Sequence, residues 1–392
     1  MEFDQIFRRK NTECVKWDEY AGQYPGLKKG TELLPMWVAD MDFKCPQPVI
    51  DAVVERAQFG IYGYAAAKTD DFCKAICSWT KRRYDVSAEP EWIVYTPGVI
   101  PAYTVAMQAF TNPGDGVVIL QPVYYPFADS IRTNGREVIA SELIAGEKRY
   151  TIDFEDLEGK LALPKVKMMI LCNPHNPVGR VWSKEELQRV GEACLKNHVL
   201  LVSDEIHADL IMKGYKQTSA AALSEEICLN SIVILSPSKT FNMAGLQVAY
   251  SLISNPVLRA DFTRQLTRNR INGINYFGSA ALKAAYTKCD DWLNEVIDYI
   301  EGNVDYMQNY IMENIPNIKM YRPEGTYLVW VDFSQTGLNE EEFQDIMLHK
   351  ARIAVDFGTW FGLGGDLHAR FCVACPRAIL EDGMKRLKEA FA

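Results

Sequence analysis

Short apolar runs alternate with amphipathic stretches through the middle of the chain. The runs are WIVYT (92–96), GVVIL (116–120), MMILC (168–172), HVLLVS (198–203) and SIVILS (231–236). Their length and β-branched content predict buried strands. Between two of them, SKEELQRVGEACLKN has helical period and begins with Ser183 and acidic residues, a typical helix start. Buried strands separated by helices indicate a mostly parallel sheet covered on both faces, so we predict a large α/β domain over residues 46–285.

The pattern changes after this region. The stretch DDWLNEVIDYIEGNVDYMQNYIMENI (290–315) predicts a long amphipathic helix. It leads into a predicted smaller α+β domain, residues 286–392, with strands in GTYLVWVDF (325–333) and ARFCVA (369–374), a helix near 339–350 and a closing helix. Residues 1–45 lack a strong period, and we expect this N-terminal segment to pack with the small domain.

Composition excludes several classes of protein. The chain has 392 residues and a formal net charge of −9, which disfavours binding to nucleic acid or to anionic membranes. It lacks an apolar run of ~18 residues and an apolar signal-peptide core near its start, so we expect a cytoplasmic protein. The ten cysteines are expected to be packed thiols, and no metal site is expected, because the one C-x-x-C pair, Cys372 and Cys375, has no second ligand pair. Neither a P-loop nor a G-x-G-x-x-G motif is present, which argues against a dehydrogenase.

Candidate chemistry follows the predicted strands, because ligands of open α/β sheets bind beyond the carboxyl ends of the strands. Gly98, Val99 and Ile100 lead into a helix whose N–H groups suit a phosphate. Tyr124 and Tyr125 suit either a face for a planar ligand or packing at a domain edge.

The later strand ends add polar groups. Asn176 lies in a stiff loop between prolines, and Asp204 ends a buried strand, where an unpaired carboxylate needs a cationic partner. Lys239 follows the last strand, in SPSKT. An amine, an acid, an amide donor, an aromatic face and a phosphate cradle are together what pyridoxal 5'-phosphate requires.

At this point the sequence resembles the fold-type I pyridoxal-phosphate enzymes of aminotransferase class I/II. NPHNPVG, SDEIH and SPSKTFNMAGL stand in the order and at the spacings of that family, and the resemblance covers nearly the whole chain. It implies a large cofactor domain with a mixed, mostly parallel sheet and a smaller α+β domain, as in aspartate aminotransferase. It also implies a homodimer with shared active sites.

The resemblance also implies roles for individual residues. The catalytic and cofactor-binding residues would be Lys239 as the Schiff-base lysine, Asp204 at the pyridine nitrogen, Asn176 at the phenolic oxygen, Tyr124 as the stacking ring, His207 near the phenolic oxygen, Ser236, Ser238 and Gly98–Ile100 at the phosphate, and Tyr64 lent by the neighbouring subunit. Tyr64 and Tyr124 would also help to orient Lys239 or the leaving group. The substrate residues would be Arg370 on the carboxylate, with Tyr125, Trp37 and Asp40 nearby.

Two positions depart from typical transaminases. His207 stands where they have a tyrosine, and Gln247 stands where they have an arginine on the phosphate. These departures, with PMWVADMDF and NPVGRVW, resemble the MalY/PatB-type carbon–sulfur β-lyases, which include cystathionine β-lyases and cystalysin-like desulfhydrases. The resemblance implies α,β-elimination of L-cystathionine, cysteine, cystine or other S-substituted cysteines to a thiol, pyruvate and ammonia. An aminotransferase of the same fold, and a lyase with an added regulatory protein contact, are the alternatives.

Overall fold

The computed structural model describes residues 2–25, 27, 30–66, 68–271 and 273–391. Its strands, in chain order, are β1 Leu34–Pro35, β2 Ile93–Thr96, β3 Gly116–Gln121, β4 Glu137–Glu142, β5 Ile144–Ala145, β6 Tyr150–Thr151, β7 Val166–Cys172, β8 Leu200–Asp204, β9 Ser231–Leu235, β10 Ala249–Leu252, β11 Lys319–Tyr321, β12 Leu328–Asp332, β13 Ile353–Ala354, β14 Asp356–Phe357 and β15 His368–Cys372. The five runs read as buried strands correspond to β2, β3, β7, β8 and β9, so these predictions are confirmed to within a few residues.

The helices begin and end close to their sequence signals. They are α1 Val15–Asp18, α2 Gln47–Gln58, α3 Asp70–Tyr84, α4 Val99–Phe110, α5 Pro126–Thr133, α6 Phe154–Leu161, α7 Lys184–Lys196, α8 Glu225–Leu229, α9 Pro237–Thr240, α10 Pro256–Arg268, α11 Tyr276–Lys288, α12 Asp290–Asn314, α13 Glu340–Asp345 and α14 Arg377–Phe391. Helix α7 begins with a capping box, in which Ser183 accepts from the Glu186 N–H and Glu186 accepts from the Ser183 N–H. Helix α13 continues as a π-helical turn over Ile346–Ala351.

Seven of the described strands form one sheet, in the order β2-β10-β9-β8-β7-β3-β4. The pairs from β9 to β4 are parallel, and β10 is antiparallel to both of its neighbours. Alternate residues of β3 enter different cores: Val117 and Ile119 pack on one face, and Val118 and Leu120 on the other. Because both faces are covered, the strands are continuously apolar. The predicted mixed, mostly parallel sheet flanked by helices is confirmed.

A second sheet has the order β11-β12-β15-β14, with antiparallel pairs. The N-terminal segment joins this part of the molecule, because β1 pairs in parallel with β13. The domain boundaries at residues 45 and 285 stay a prediction. No helix within the described part of the chain is both long enough and apolar enough to cross a membrane.

Candidate active site

The carboxyl ends of the parallel strands surround a cavity of about 290 Å³. Most of the predicted site residues line it, namely Trp37, Gly98, Val99, Ile100, Tyr124, Tyr125, Asn176, Asp204, His207, Ser236, Ser238, Lys239 and Arg370. Two do not: Asp40 lies in an ion-pair network at the edge of the site, and the Tyr64 side chain is fully exposed. One wall of the cavity therefore comes from the seven-stranded sheet, and Arg370 reaches it from β15 of the second sheet.

Lys239 lies in the short helix α9, directly after β9. Ser236 caps this helix, since its Oγ accepts a hydrogen bond from the Ser238 N–H at 3.1 Å. The Lys239 Nζ donates to the carbonyl oxygen of Ala39 at 2.6 Å. Burial lowers the pKa of this amine, although Asp40 and Asp204 oppose the shift. A lowered pKa makes more of the neutral, nucleophilic amine available near neutral pH.

Asp204 ends β8 and is 3% exposed. Its Oδ1 accepts from the Ile206 N–H at 3.1 Å, and no cation among the described residues forms an ion pair with it. Burial raises the pKa of this carboxyl group to about 7, with Glu205 adding to the shift and Lys239 opposing it. A buried carboxylate that faces a cavity without a cationic partner suits a ligand with a protonated ring nitrogen.

Asn176 and Arg370 hold each other in place. The Arg370 Nη1 donates to the Asn176 Oδ1 at 3.1 Å, which fixes the orientation of the amide. The carbonyl oxygen of Asn176 also accepts from the Tyr124 N–H at 3.0 Å. Since the Oδ1 atom is taken, the Asn176 NH₂ group is the part of the side chain that is left to donate into the cavity. It suits an anionic oxygen on a ring.

His207 lies three residues after Asp204 and is 3% exposed. Burial and, to a smaller extent, the positive charges of Lys239 and Arg370 lower its pKa to about 3, so the imidazole is neutral at working pH. Its Nδ1 atom has no hydrogen-bond partner. An unpartnered buried ring nitrogen at a cavity wall is free to bond to a ligand.

Aromatic rings close one side of the cavity. The Tyr124 ring packs edge-on against Phe127 at 5.8 Å between centroids, and the Tyr125 ring packs edge-on against Trp360 at 5.9 Å. Burial raises the pKa of both phenols, that of Tyr125 to about 12, so both stay protonated. Their neighbours hold the rings in fixed positions, as a face for a flat ligand requires.

The part of the cavity at the start of helix α4, here called the anion end, suits an anion. Helix α4 begins beside Gly98, and its first N–H groups have no acceptor within the helix. The Ser236 and Ser238 side chains and Gln247 line the same cavity. The described lining residues include one lysine, Lys239, and one arginine, Arg370. Since Arg370 is assigned to the substrate carboxylate, the anion end has no arginine of its own.

The N-terminal segment crosses the site as a strap, residues 37–42. The Trp37 carbonyl accepts from the Arg370 Nη2 at 2.9 Å, and the Ala39 carbonyl accepts from Lys239. Asp40 pairs with Arg9 at 2.5 Å, outside the cavity lining. Trp37 therefore contacts the site through its backbone, and direct substrate contacts of Trp37 and Asp40 stay predictions.

Asp356 and Tyr327 are polar residues at the site that were not predicted from the sequence. Asp356 lines the cavity beside Arg370, and the Tyr327 hydroxyl donates to the Ala39 carbonyl at 3.0 Å. A lone acid in the apolar run IAVDFG is the one sequence signal for Asp356. Tyr327 has none, because an aromatic residue before a strand is ordinary core.

The site residues fit pyridoxal phosphate. Five features of the site each match one group of that cofactor. They are the unpaired Asp204 carboxyl group, the unpartnered Nδ1 of His207, the free NH₂ of Asn176, the Lys239 amine with its lowered pKa, and the helix start at Gly98. The chain would hold it with these residues. No group of His, Cys, Asp and Glu within the described ranges is arranged to bind a metal ion.

Known proteins resemble the chain over nearly its whole length. A family model described as aminotransferase class I and II matches residues 31–387. The chain is 44% identical to cystathionine beta-lyase PatB of Bacillus subtilis (strain 168), over 100% of both proteins. It is 30% identical to protein MalY of Escherichia coli (strain K12), over 99% of this chain and 98% of that protein. The crystal structure of cystalysin from Treponema denticola, which contains a pyridoxal 5'-phosphate cofactor, matches with a TM-score of 0.93 at 37% identity, over 99% of this chain and 98% of that chain.

Proposed function

The chain belongs to the aminotransferase class I and II family, and from this we propose that it is a pyridoxal-phosphate-dependent carbon–sulfur β-lyase. Its substrates are L-cystathionine or related S-substituted cysteines, and its products are a thiol, pyruvate and ammonia. The observation that carries the proposal is the cavity in which Lys239, Asp204, Asn176 and Arg370 converge, in a chain 44% identical over its full length to a cystathionine beta-lyase.

When bound, pyridoxal phosphate supplies an aldehyde that condenses with amines and a ring that accepts electrons from the substrate Cα. The Asp204 carboxylate would keep a proton on the ring nitrogen by pairing with its positive charge. The Asn176 NH₂ group and the neutral His207 imidazole would bond to polar atoms of the ring. Tyr124 would offer a ring for stacking, and the N–H groups at the start of helix α4, with Ser236 and Ser238, would hold the phosphate.

The substrate is oriented through its carboxylate and its reacting proton. Arg370 binds the carboxylate by charge-assisted hydrogen bonds. Lys239, whose pKa is lowered by burial, takes the Cα proton at its Nζ atom. The Cβ–S bond then breaks, the thiol leaves, and water completes the hydrolysis to pyruvate and ammonia.

We further propose that the enzyme is a homodimer with shared sites. The segment 59–64 exposes Phe59, Ile61, Tyr62 and Tyr64, a run of large apolar side chains on the surface of one chain. The anion end of the cavity lacks an arginine, and Tyr64 of a second copy supplies a hydroxyl donor there. The proposed cytoplasmic location stays a prediction from the sequence.

A lyase and an aminotransferase differ in whether turnover needs a keto acid. The aminotransferase needs one, and the lyase does not. Purified holoenzyme is incubated with L-cystathionine alone, and pyruvate, ammonia and homocysteine are measured over many turnovers. We expect all three in equal amounts without a keto acid. Turnover that depends strictly on added keto acid would establish the aminotransferase instead. Lys239→Ala is expected to be inactive, whereas Lys213→Ala, which removes an exposed lysine, is the matched control.

A further inference from the structure

Asp356 and Arg370 face each other in the wall of the cavity. They lie on neighbouring antiparallel strands and are register partners, Asp356 on β14 and Arg370 on β15. The Asp356 carboxylate contacts the Arg370 Nη2, and the two side chains are 1% and 3% exposed. Arg370, the proposed site for the substrate carboxylate, is therefore already paired with a carboxylate of the protein.

Most donors of Arg370 are occupied. Its Nη1 donates to Asn176 and its Nη2 to the carbonyl of Trp37 as well as to Asp356. The Arg370 Nε and the Asp356 Oδ1 are buried without a hydrogen-bond partner. A substrate carboxylate that binds Arg370 thus finds most of the guanidinium donors already occupied. The negative charge of that carboxylate also comes close to the charge of Asp356.

Two carboxylates around one guanidinium group in a dry site repel each other, and protonation of one relieves the repulsion. The other titratable groups that face Asp356 are Tyr24 from the N-terminal segment and Tyr124 and Tyr125 from the loop before α5. Burial raises the pKa of these phenols, so they are uncharged throughout the working range. Arg370 is the cation in contact with Asp356. Asp204, His207 and Lys239 line the same cavity, but Arg370 is the one charged group that shifts the pKa of Asp356.

We propose that Asp356 is a positioning residue that moderates the carboxylate site. It holds the Arg370 guanidinium group in the cavity wall and offsets its charge, and a ligand carboxylate binds Arg370 with uptake of one proton from solvent at Asp356. The inference rests on the proposed function in one respect, the role of Arg370. Every ligand carboxylate bears this cost, and it weakens binding most for ligands that have no amine to condense with the cofactor. These are the product pyruvate, which must leave, and the 2-oxo acids that transamination would need.

The pH range follows from the state of Asp356 in the free protein. Burial raises its pKa to about 6, although Arg370 opposes the shift. Below that pH the group is already protonated, and carboxylate binding draws no proton. Above it the group is ionised, so protonation on binding lowers the affinity roughly tenfold for each further pH unit.

The test uses holoenzyme and pyruvate as the probe. Calorimetric titrations between about pH 5 and about pH 8, in two buffers of different ionisation enthalpy, give the Kd and the number of protons taken up. For the wild type we expect a Kd that is constant below about pH 6 and rises roughly tenfold per unit above it, with uptake approaching one proton. Asp356→Asn is expected to bind pyruvate at least about tenfold more tightly at the highest pH, without uptake.

Controls separate the inference from the proposed function. Asp332→Asn makes the same change on β12, which is separated from β14 by β15 and lies outside the cavity lining at this residue, and it is expected to behave as wild type. A wild-type Kd that is independent of pH without proton uptake overturns the inference, as does weaker binding to Asp356→Asn, and either would make Asp356 a permanent counter-ion. If Arg370→Gln binds pyruvate as well as wild type does, the carboxylate site of the proposed function is itself wrong.

Discussion

At the scale of single residues, backbone carbonyls of the strap fix the positions of Lys239 and Arg370. The Ala39 carbonyl accepts from both the Lys239 Nζ at 2.6 Å and the Tyr327 hydroxyl at 3.0 Å. A motif in the sequence reveals Lys239, but it cannot reveal the atom that fixes the amine, because any residue has a carbonyl at position 39. Such a partner becomes visible only when the fold brings distant parts of the chain together.

Tyr327→Phe tests this shared acceptor. Without the hydroxyl, Lys239 is the remaining described donor to the Ala39 carbonyl, which favours the charged ammonium form and raises its pKa. We expect the acid limb of the pH dependence of kcat to move to higher pH, by less than about one unit, since a neutral hydrogen bond contributes ~1 kcal/mol. Tyr150→Phe, which removes another buried hydroxyl bonded to Trp330, is the control and should leave the limb in place. A limb that does not move, or moves to lower pH, contradicts the expectation.

At the scale of elements, the sequence predicted the strands whose residues form continuous apolar runs. Strands β7, β8 and β9 are buried on both faces and appeared as unbroken apolar runs. Strand β4 was missed because it lies at the edge of the sheet, where half-exposed polar residues break up the run. Strand β10 was missed because it is short and inserts antiparallel, which no local pattern specifies.

The strap was also beyond prediction in detail, because buried charges rather than apolar pattern hold it. The Lys16 Nζ lies 2.6 Å from Asp42 and 2.9 Å from the Asp40 carbonyl, and the side chain is buried. Arg9 pairs with Asp42 at 2.7 Å. Charged residues in a segment without period suggest a solvated surface. Here they connect the first part of the N-terminal segment to the strap, whose backbone carbonyls accept from Lys239 and Arg370.

Lys16→Met tests the strap as an element. Removing one partner of a buried ion pair costs about 3–5 kcal/mol, and we expect the lower end because Arg9 still pairs with Asp42. Hydrogen exchange is expected to quicken across residues 36–44, where the Asp42 N–H bonds to the Ala374 carbonyl, and KM is expected to rise more than kcat falls. The control is Lys81→Met, which breaks the exposed Lys81–Asp85 pair. Unchanged exchange in the strap would show that Lys16 does not hold it.

At the scale of the whole molecule, the proposed dimer concerns the anion end of the cavity, which has no arginine of its own among the described lining residues. Tyr64 is exposed and outside the cavity lining, with Ile61 and Tyr62 exposed beside it. In the proposed two-fold dimer the same surface of each copy would lie against the other, so each copy would both lend and receive Tyr64. The sequence predicted this exchange through the family resemblance, and the exposed segment supports it physically.

Complementation between two inactive variants tests the exchange. Lys239→Ala and Tyr64→Ala chains are co-expressed with different tags, and the mixed dimer is purified through both. In that dimer one site combines an intact Lys239 with an intact Tyr64 from the partner, so we expect about half of the wild-type activity per dimer. A mixed dimer of Lys239→Ala and Asp204→Ala is the control and should be inactive, because both changes fall on residues that each chain supplies to its own site. If the first mixed dimer is as inactive as its parents, Tyr64 serves the site of its own chain, and the shared arrangement is wrong.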